Sequence, residues 1–340
     1  MKILLIRRDN IGDMICTLPL ISALSNLGEH TEIDVLTNSY VSPILSKIAY
    51  IRRVFHYQKL KHGGPNKLRI CIQSVRSYFS VRAVFYDYII CFSSRDLALS
   101  LLLRGKNRIT YVKAARGLIG SFRVTKVPWH AESHEVIRAW SLGGPLGLNV
   151  DSPPMKTPQL APFYPKASSG TLSDRIAIQL SARKIGQRWP TEKYLELISR
   201  LSASGYAISV LWAPGSGSNR FHPGDDDKAR YLASRINSPK VNFVRTLELA
   251  SLLAELQRCQ FIISPDGGAA HIAAALDLRS VILFGNSDPA HWAPWNDGNI
   301  ILTGAAGRVD TISVESVLRG FEAVSGGVIS LRGSLQSTVS

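Results

Sequence analysis

Short apolar runs alternate with longer stretches of helical periodicity along the 340-residue chain, and this rhythm constrains the fold more than any other feature. Strands joined through helices run parallel, because a parallel pair needs a long crossover and the crossover helix covers one face of the sheet. In the first half the apolar runs predict strands at 3–6, 33–37, 53–56, 88–92 and 108–112, with helices at 14–27, 67–79 and 96–103. The rhythm restarts at 176–180 and continues with strands at 207–212, 261–264, 281–284 and 299–302. Helices at 191–203, 226–236, 248–258 and 269–276 lie between them. The intervening "DSPPMKTPQLAPFYPKASSG" holds five prolines and reads as an extended linker. The expected organisation is an α/β chain with one doubly wound domain over 1–158, a second over 171–325 and a flexible tail over 326–340. Two such domains form a cleft, and ligands bind beyond the carboxyl ends of their strands.

Charge is unevenly distributed. The net charge is +15, and residues 47–126 alone hold 17 Lys/Arg against Asp87 and Asp96. A basic field of this kind attracts a polyanion: nucleic acid, an anionic membrane surface or a phosphorylated substrate. The four cysteines, Cys16, Cys71, Cys91 and Cys259, form no C-x-x-C and read as reduced, buried thiols. Four apolar residues before Arg7 and Arg8 are too few for a signal-peptide core, and no segment approaches the roughly 20 apolar residues of a membrane span. A cytoplasmic protein, with peripheral contact at the inner membrane surface, is expected.

Three strand ends carry candidate chemistry. In "FIISPDGGAAHIAAAL" a buried strand runs into Asp266, Gly267 and Gly268, and an Ala-rich helix starts at once near Ala269. Glycines let backbone amides approach a ligand, and the positive end of the helix dipole favours phosphate. His271, one turn on, is either a further donor or a packed core histidine. The G-x-G-x-x-G dinucleotide fingerprint is absent, which disfavours a dehydrogenase. In "QLSARKIGQRWPTEKY", Arg183, Lys184 and Arg188 either neutralise a diphosphate or are ordinary surface cations. The acidic triplet Asp225–Asp227 reads as helix capping ahead of a metal site, and "HWAPW" offers aromatic surface for a base or a cover for the core.

The third strand end is "RRDNIGDMICTLP". Asp13 follows Gly12 where the first strand becomes a helix, which fits an N-cap, and Pro19 should kink that helix or displace its start. Its position at the end of the first strand also suits a general base facing the cleft.

The pair "ILLIRRDNIGDMICTLPLISALS" and "SPDGGAAHIAAALDLRSVILFGNSDPAHW" resembles glycosyltransferase family 9, the ADP-heptose:lipopolysaccharide heptosyltransferases. The resemblance covers both halves, with the basic middle of the first least diagnostic. It implies a GT-B architecture, two Rossmann-like domains facing across a cleft, and inverting transfer without a metal or other cofactor. It places the family's general base on Asp13. The diphosphate turn D-x-G-x-x-H falls on Asp266, Gly268 and His271, with Gly267 where many members have Thr. Members commonly carry Lys two residues before "WP"; here that residue is Gln187, so Arg183 or Lys184 takes over, or the donor is a different nucleotide sugar. The implied partners are a nucleotide-sugar donor and a lipid-linked phosphorylated oligosaccharide, with no nucleic acid. The competing class is a non-catalytic basic protein that holds nucleic acid or an anionic surface.

Overall fold

The computed structural model describes residues 1–58, 67–115, 123–157, 159–166, 175–219 and 223–326. Beyond Gly326 the tail expected from the sequence lies outside the described residues, as does part of the proline-rich linker. The chain divides into two compact units, Met1–Tyr164 with Ala290–Trp295, and Pro165–Pro289 with Asn296–Ser340.

In the first unit, β1 (Lys2–Ile6), β2 (Glu32–Asn38), β3 (Ile51–Tyr57), β4 (Tyr86–Cys91), β5 (Gly105–Tyr111) and β6 (Val124–Val127) form one sheet in the order β3-β2-β1-β4-β5-β6. In the second, β7 (Arg175–Gln179), β8 (Ala207–Trp212), β9 (Val241–Arg245), β10 (Phe261–Pro265), β11 (Arg279–Phe284) and β12 (Asn299–Thr303) pair as β12-β11-β10-β7-β8-β9. The two orders are the same permutation, and the described ladders are all parallel. In each sheet the winding reverses between the first and fourth strands: β1 and β4 in one, β7 and β10 in the other. There the connections leave in opposite directions and open a crevice at the carboxyl ends.

The central strands are near-continuous apolar runs because both faces are covered. Ile3 to Ile6 of β1 and Phe261 to Ile263 of β10 are buried. Two buried charged residues break the pattern: Arg108 on β5, and Asp34 on β2, which is held by the Arg52 guanidinium at 2.5 Å and accepts the Tyr86 hydroxyl at 2.8 Å. The second unit packs its core from Ile176, Ile178, Trp189, Tyr194, Leu197, Ile263, Leu283 and Phe321. Trp189 is fully inside it, its indole donating to the Ile312 carbonyl.

Several expectations are corrected. The helix predicted at 14–27 is two helices, Ile11–Ile15 and Leu18–Ser25, and Pro19 sits in the first turn of the second, where its missing N–H has no partner to lose. Strands β6 "VTKV" and β9 "VNFVR" escaped prediction because each is short and polar residues break its apolar run. The helices Glu135–Ser141 and Val314–Ser325 were also not predicted. Cys16, Cys91 and Cys259 are buried, as expected, and burial pushes the Cys91 and Cys259 thiols up to about 12, while the side chain of Cys71 lies outside those described. Among the described residues no helix is long and apolar enough to cross a membrane.

Candidate functional site

In the second unit β10 ends at Pro265, and Asp266 and Gly267 lead into the helix Gly268–Ala275. The backbone at Gly267 is extended, with φ 162° and ψ −176°, and the residue is exposed at the N-cap position. The Ala270 and His271 amides donate to the Gly267 carbonyl, whereas those of Gly268 and Ala269 come too early in the helix to meet an intrahelical carbonyl and are donors for an anion. Gly268 and Ala269 are half-buried there, while His271 is buried in the helix.

Asp266 does not stand alone. Gln187 Nε2 donates to its Oδ2 at 2.6 Å and to Ser287 Oγ at 2.8 Å, and Ser287 Oγ donates to the same Asp266 oxygen at 2.5 Å. Gln187 comes from the loop after β7 and Ser287 from the loop after β11. Three carboxyl-end loops are therefore tied together where the winding of this sheet reverses. The loops approach so closely that a Cβ on Gly285 would collide with the Gly186 carbonyl.

The three cations predicted for this loop separate. Arg183 and Lys184 are exposed on it. Arg188 turns inward, where its Nη2 pairs with Asp225 at 2.9 Å and its Nε donates to the Ala182 carbonyl at 3.0 Å. The same guanidinium also holds the Pro223 and Gly224 carbonyls. The acidic triplet is corrected accordingly. Asp225 occupies an N-cap position, yet its carboxylate makes no cap bond; it is buried against Arg188, Lys228 and the Ser181 hydroxyl. Asp226 accepts from Trp212, Gly215 and Arg245, which together hold its carboxyl down to about 2. Among the described residues no group of three His, Cys, Asp or Glu side chains is placed to hold a metal ion.

In the first unit Asp13 lies at the carboxyl end of β1, beside β4. It is the third residue of its helix rather than the N-cap: Asn10 takes the cap position, and Asp13 Oδ2 accepts the Asn10 amide at 3.1 Å. Its other oxygen takes a 2.8 Å bond from Arg7 Nη2. The same Arg7 nitrogen reaches Glu135 Oε1 at 2.6 Å, and Glu135 is paired in turn with Arg138 at 3.0 Å. Arg7 is only 3% exposed, and its guanidinium lies over the Phe92 ring. Burial alone would lower its pKa, but Glu135, Asp13 and Asp9 outweigh that and raise it, so the cation is permanent. Burial also raises the Asp9 carboxyl, against the pull of Arg7. Beside this cluster Arg8 pairs with buried Asp96 at 2.6 Å.

"HWAPW" packs with the first unit although it follows β11 in the chain. His134 bonds the Ala293 carbonyl at 2.8 Å and its ring lies 4.8 Å from that of Trp295, while Trp292 sits under Arg138. The sequence reading missed Arg7, Glu135 and Ser287 as members of these clusters.

A family model described as glycosyltransferase family 9 (heptosyltransferase) matches residues 79–319, well over half of the chain. Lipopolysaccharide heptosyltransferase 3 of Escherichia coli is 28% identical over 310 residues, covering 85% of each chain. Among solved structures, the E. coli heptosyltransferase WaaC with ADP superposes with a TM-score of 0.80 at 18% identity, covering 95% of this chain and all of that one. WaaC with ADP-2-deoxy-2-fluoro heptose gives 0.76 at 19% identity, over 95% and 99%. Two α/β units of the same strand order, anion-type donors at a strand end and a match of this extent agree: the chain belongs to glycosyltransferase family 9, the heptosyltransferases.

Proposed function

We propose that the protein is an inverting, metal-independent heptosyltransferase that moves heptose from ADP-heptose to a lipid-linked, phosphorylated lipopolysaccharide core. The observation that carries this reading is Asp13, a carboxylate at the β1/β4 switch point, aimed by Arg7 and anchored to the Asn10 amide. The acceptor oxygen attacks the anomeric carbon from the face opposite the leaving group, and its proton passes to Asp13. The bond from that carbon to the donor phosphate breaks, and its electron pair leaves with the nucleotide diphosphate. The amides at Gly268 and Ala269, with Arg183 and Lys184, take the charge that develops on the diphosphate. Arg188 acts on this site through the loop it clasps, and His271 through the helix it packs in. Asp266 is fixed for the nucleotide sugar by Gln187 and Ser287. The basic segment 47–126 attracts the acceptor phosphates.

ADP-heptose is supported as donor by the relatives' names and by the analogue held in WaaC. A second reading, a different nucleotide sugar, is favoured by Gln187, whose neutral amide gives Asp266 a hydrogen bond where family members commonly supply a cation. A thermal-shift panel of ADP, GDP, UDP and CMP separates the two, because a ligand that binds only the folded chain raises its melting temperature according to affinity. ADP alone should raise it, with EDTA present or absent. A shift with another nucleotide and none with ADP contradicts the donor assignment.

A further inference from the structure

The helix Lys67–Arg82 of the first unit is apolar on its outward face as well as on the face it packs. Val81 is buried and Tyr78 packs toward the sheet, yet Ile72, Val75 and Phe79 are exposed, Phe79 by 63%. These three recur at i, i+3 and i+7, which at ~100° per residue puts them in a single sector of about 60° on the outward face. Arg76 and Arg82 flank Phe79 at about 60° on either side. The Arg82 guanidinium donates to the Tyr78 hydroxyl at 3.1 Å and the Leu102 carbonyl at 3.3 Å, which brings exposed Leu102 alongside. Phe85, just past the helix, is exposed as well. Of the twelve exposed large apolar side chains among the described residues, five fall in this one region.

We propose that this face docks on an anionic lipid bilayer. An apolar stripe edged by arginines fits the boundary between acyl chains and headgroups, since the side chains enter the hydrocarbon edge while the cations meet lipid phosphates. The helix carries two further cations, Lys67 and Arg69, in its sequence and no acidic residue. A second copy of the chain is a poor occupant, because two-fold pairing of this face would set its arginines against one another. The surface goes beyond the transfer reaction: lipid binding is read without turnover, so its failure leaves the role of Asp13 standing, and the reverse holds too.

The test is co-sedimentation of the full chain with vesicles of equimolar phosphatidylglycerol and phosphatidylcholine, against phosphatidylcholine alone. Wild type should bind the anionic vesicles and not the neutral ones. Ile72→Ser/Val75→Ser/Phe79→Ser should lose about tenfold or more in binding with its melting temperature unchanged, since none of the three side chains is buried. Arg76→Glu, made alone, should also weaken binding and keeps the test decisive if the triple variant does not fold. Wild type that ignores anionic vesicles, or variants that bind as well as wild type, overturns the proposal. So does wild type that sediments as a dimer and becomes monomeric in the triple variant without any lipid binding.

Discussion

Arg7 ties together two elements of the first unit, since one buried nitrogen serves both Asp13 and Glu135. Replacing it by Met leaves two carboxylates close together without their shared cation, a defect worth about 3 kcal/mol or more. Arg7→Met should therefore lower the urea midpoint by a corresponding amount, and a midpoint equal to wild type would refute the shared-cation account. At Gly267 the expectation is opposite in sign. The backbone is extended and a Cβ there meets nothing within 4 Å, so Gly267→Thr places a good N-cap residue there without strain. The gain should be about a few tenths of a kcal/mol, with tighter ADP binding read by titration calorimetry. Sequence made Asp266 visible because it follows β10 directly, and Asp13 because it lies in the short stretch between the first apolar run and the first helical periodicity. It could not make Glu135 visible, since that partner lies 128 residues from Arg7 in the chain. Ser287 stood within a quoted motif, but nothing local said that its hydroxyl would meet Asp266.

The strands were legible wherever a short apolar run stands out, at sheet centres and at the edge strands β3 and β12 alike. Ten of the twelve strands among the described residues were read from the sequence, whereas β6 and β9, four and five residues long, mix polar and apolar residues and were not. The helix Val314–Ser325 carried a readable i, i+3, i+4, i+7 pattern in its buried Val314, Val317, Leu318 and Phe321, but it lies after the last strand, outside the alternation that guided the reading. The Asp triplet shows a different failure. Three acids before a helix look like caps, and only the fold shows that one anchors Arg188 while the next ties the loop after β8 to β9. Because the Asp226 carboxyl is held at about 2 against an ordinary 3.8, its contribution is full above the ordinary value and disappears as pH falls through the lowered one. The stability difference between wild type and Asp226→Asn, followed by urea unfolding, should be constant near neutrality and vanish toward pH ~2. A difference that grows on acidification would reverse the sign of this linkage.

The same sheet order occurs twice in the chain, and in each copy the proposed site residues gather at the strand pair where the winding reverses. Asp13 and its arginine stand at β1/β4; the Asp266 turn, with Gln187 and Ser287, stands at β7/β10. The repeat of strands and helices made this architecture readable in outline. The passage of Ala290–Trp295 into the first unit was hidden, because nothing in a short aromatic loop declares which unit it packs with. The claim that joins these parts is that Asp13 takes the acceptor proton. It is tested most directly by the kcat for transfer from ADP-heptose to a lipopolysaccharide core acceptor, measured for wild type and Asp13→Asn at saturating donor. The account predicts a fall of about 10²–10⁴-fold in Asp13→Asn with the donor KM preserved; a kcat near that of wild type would contradict it.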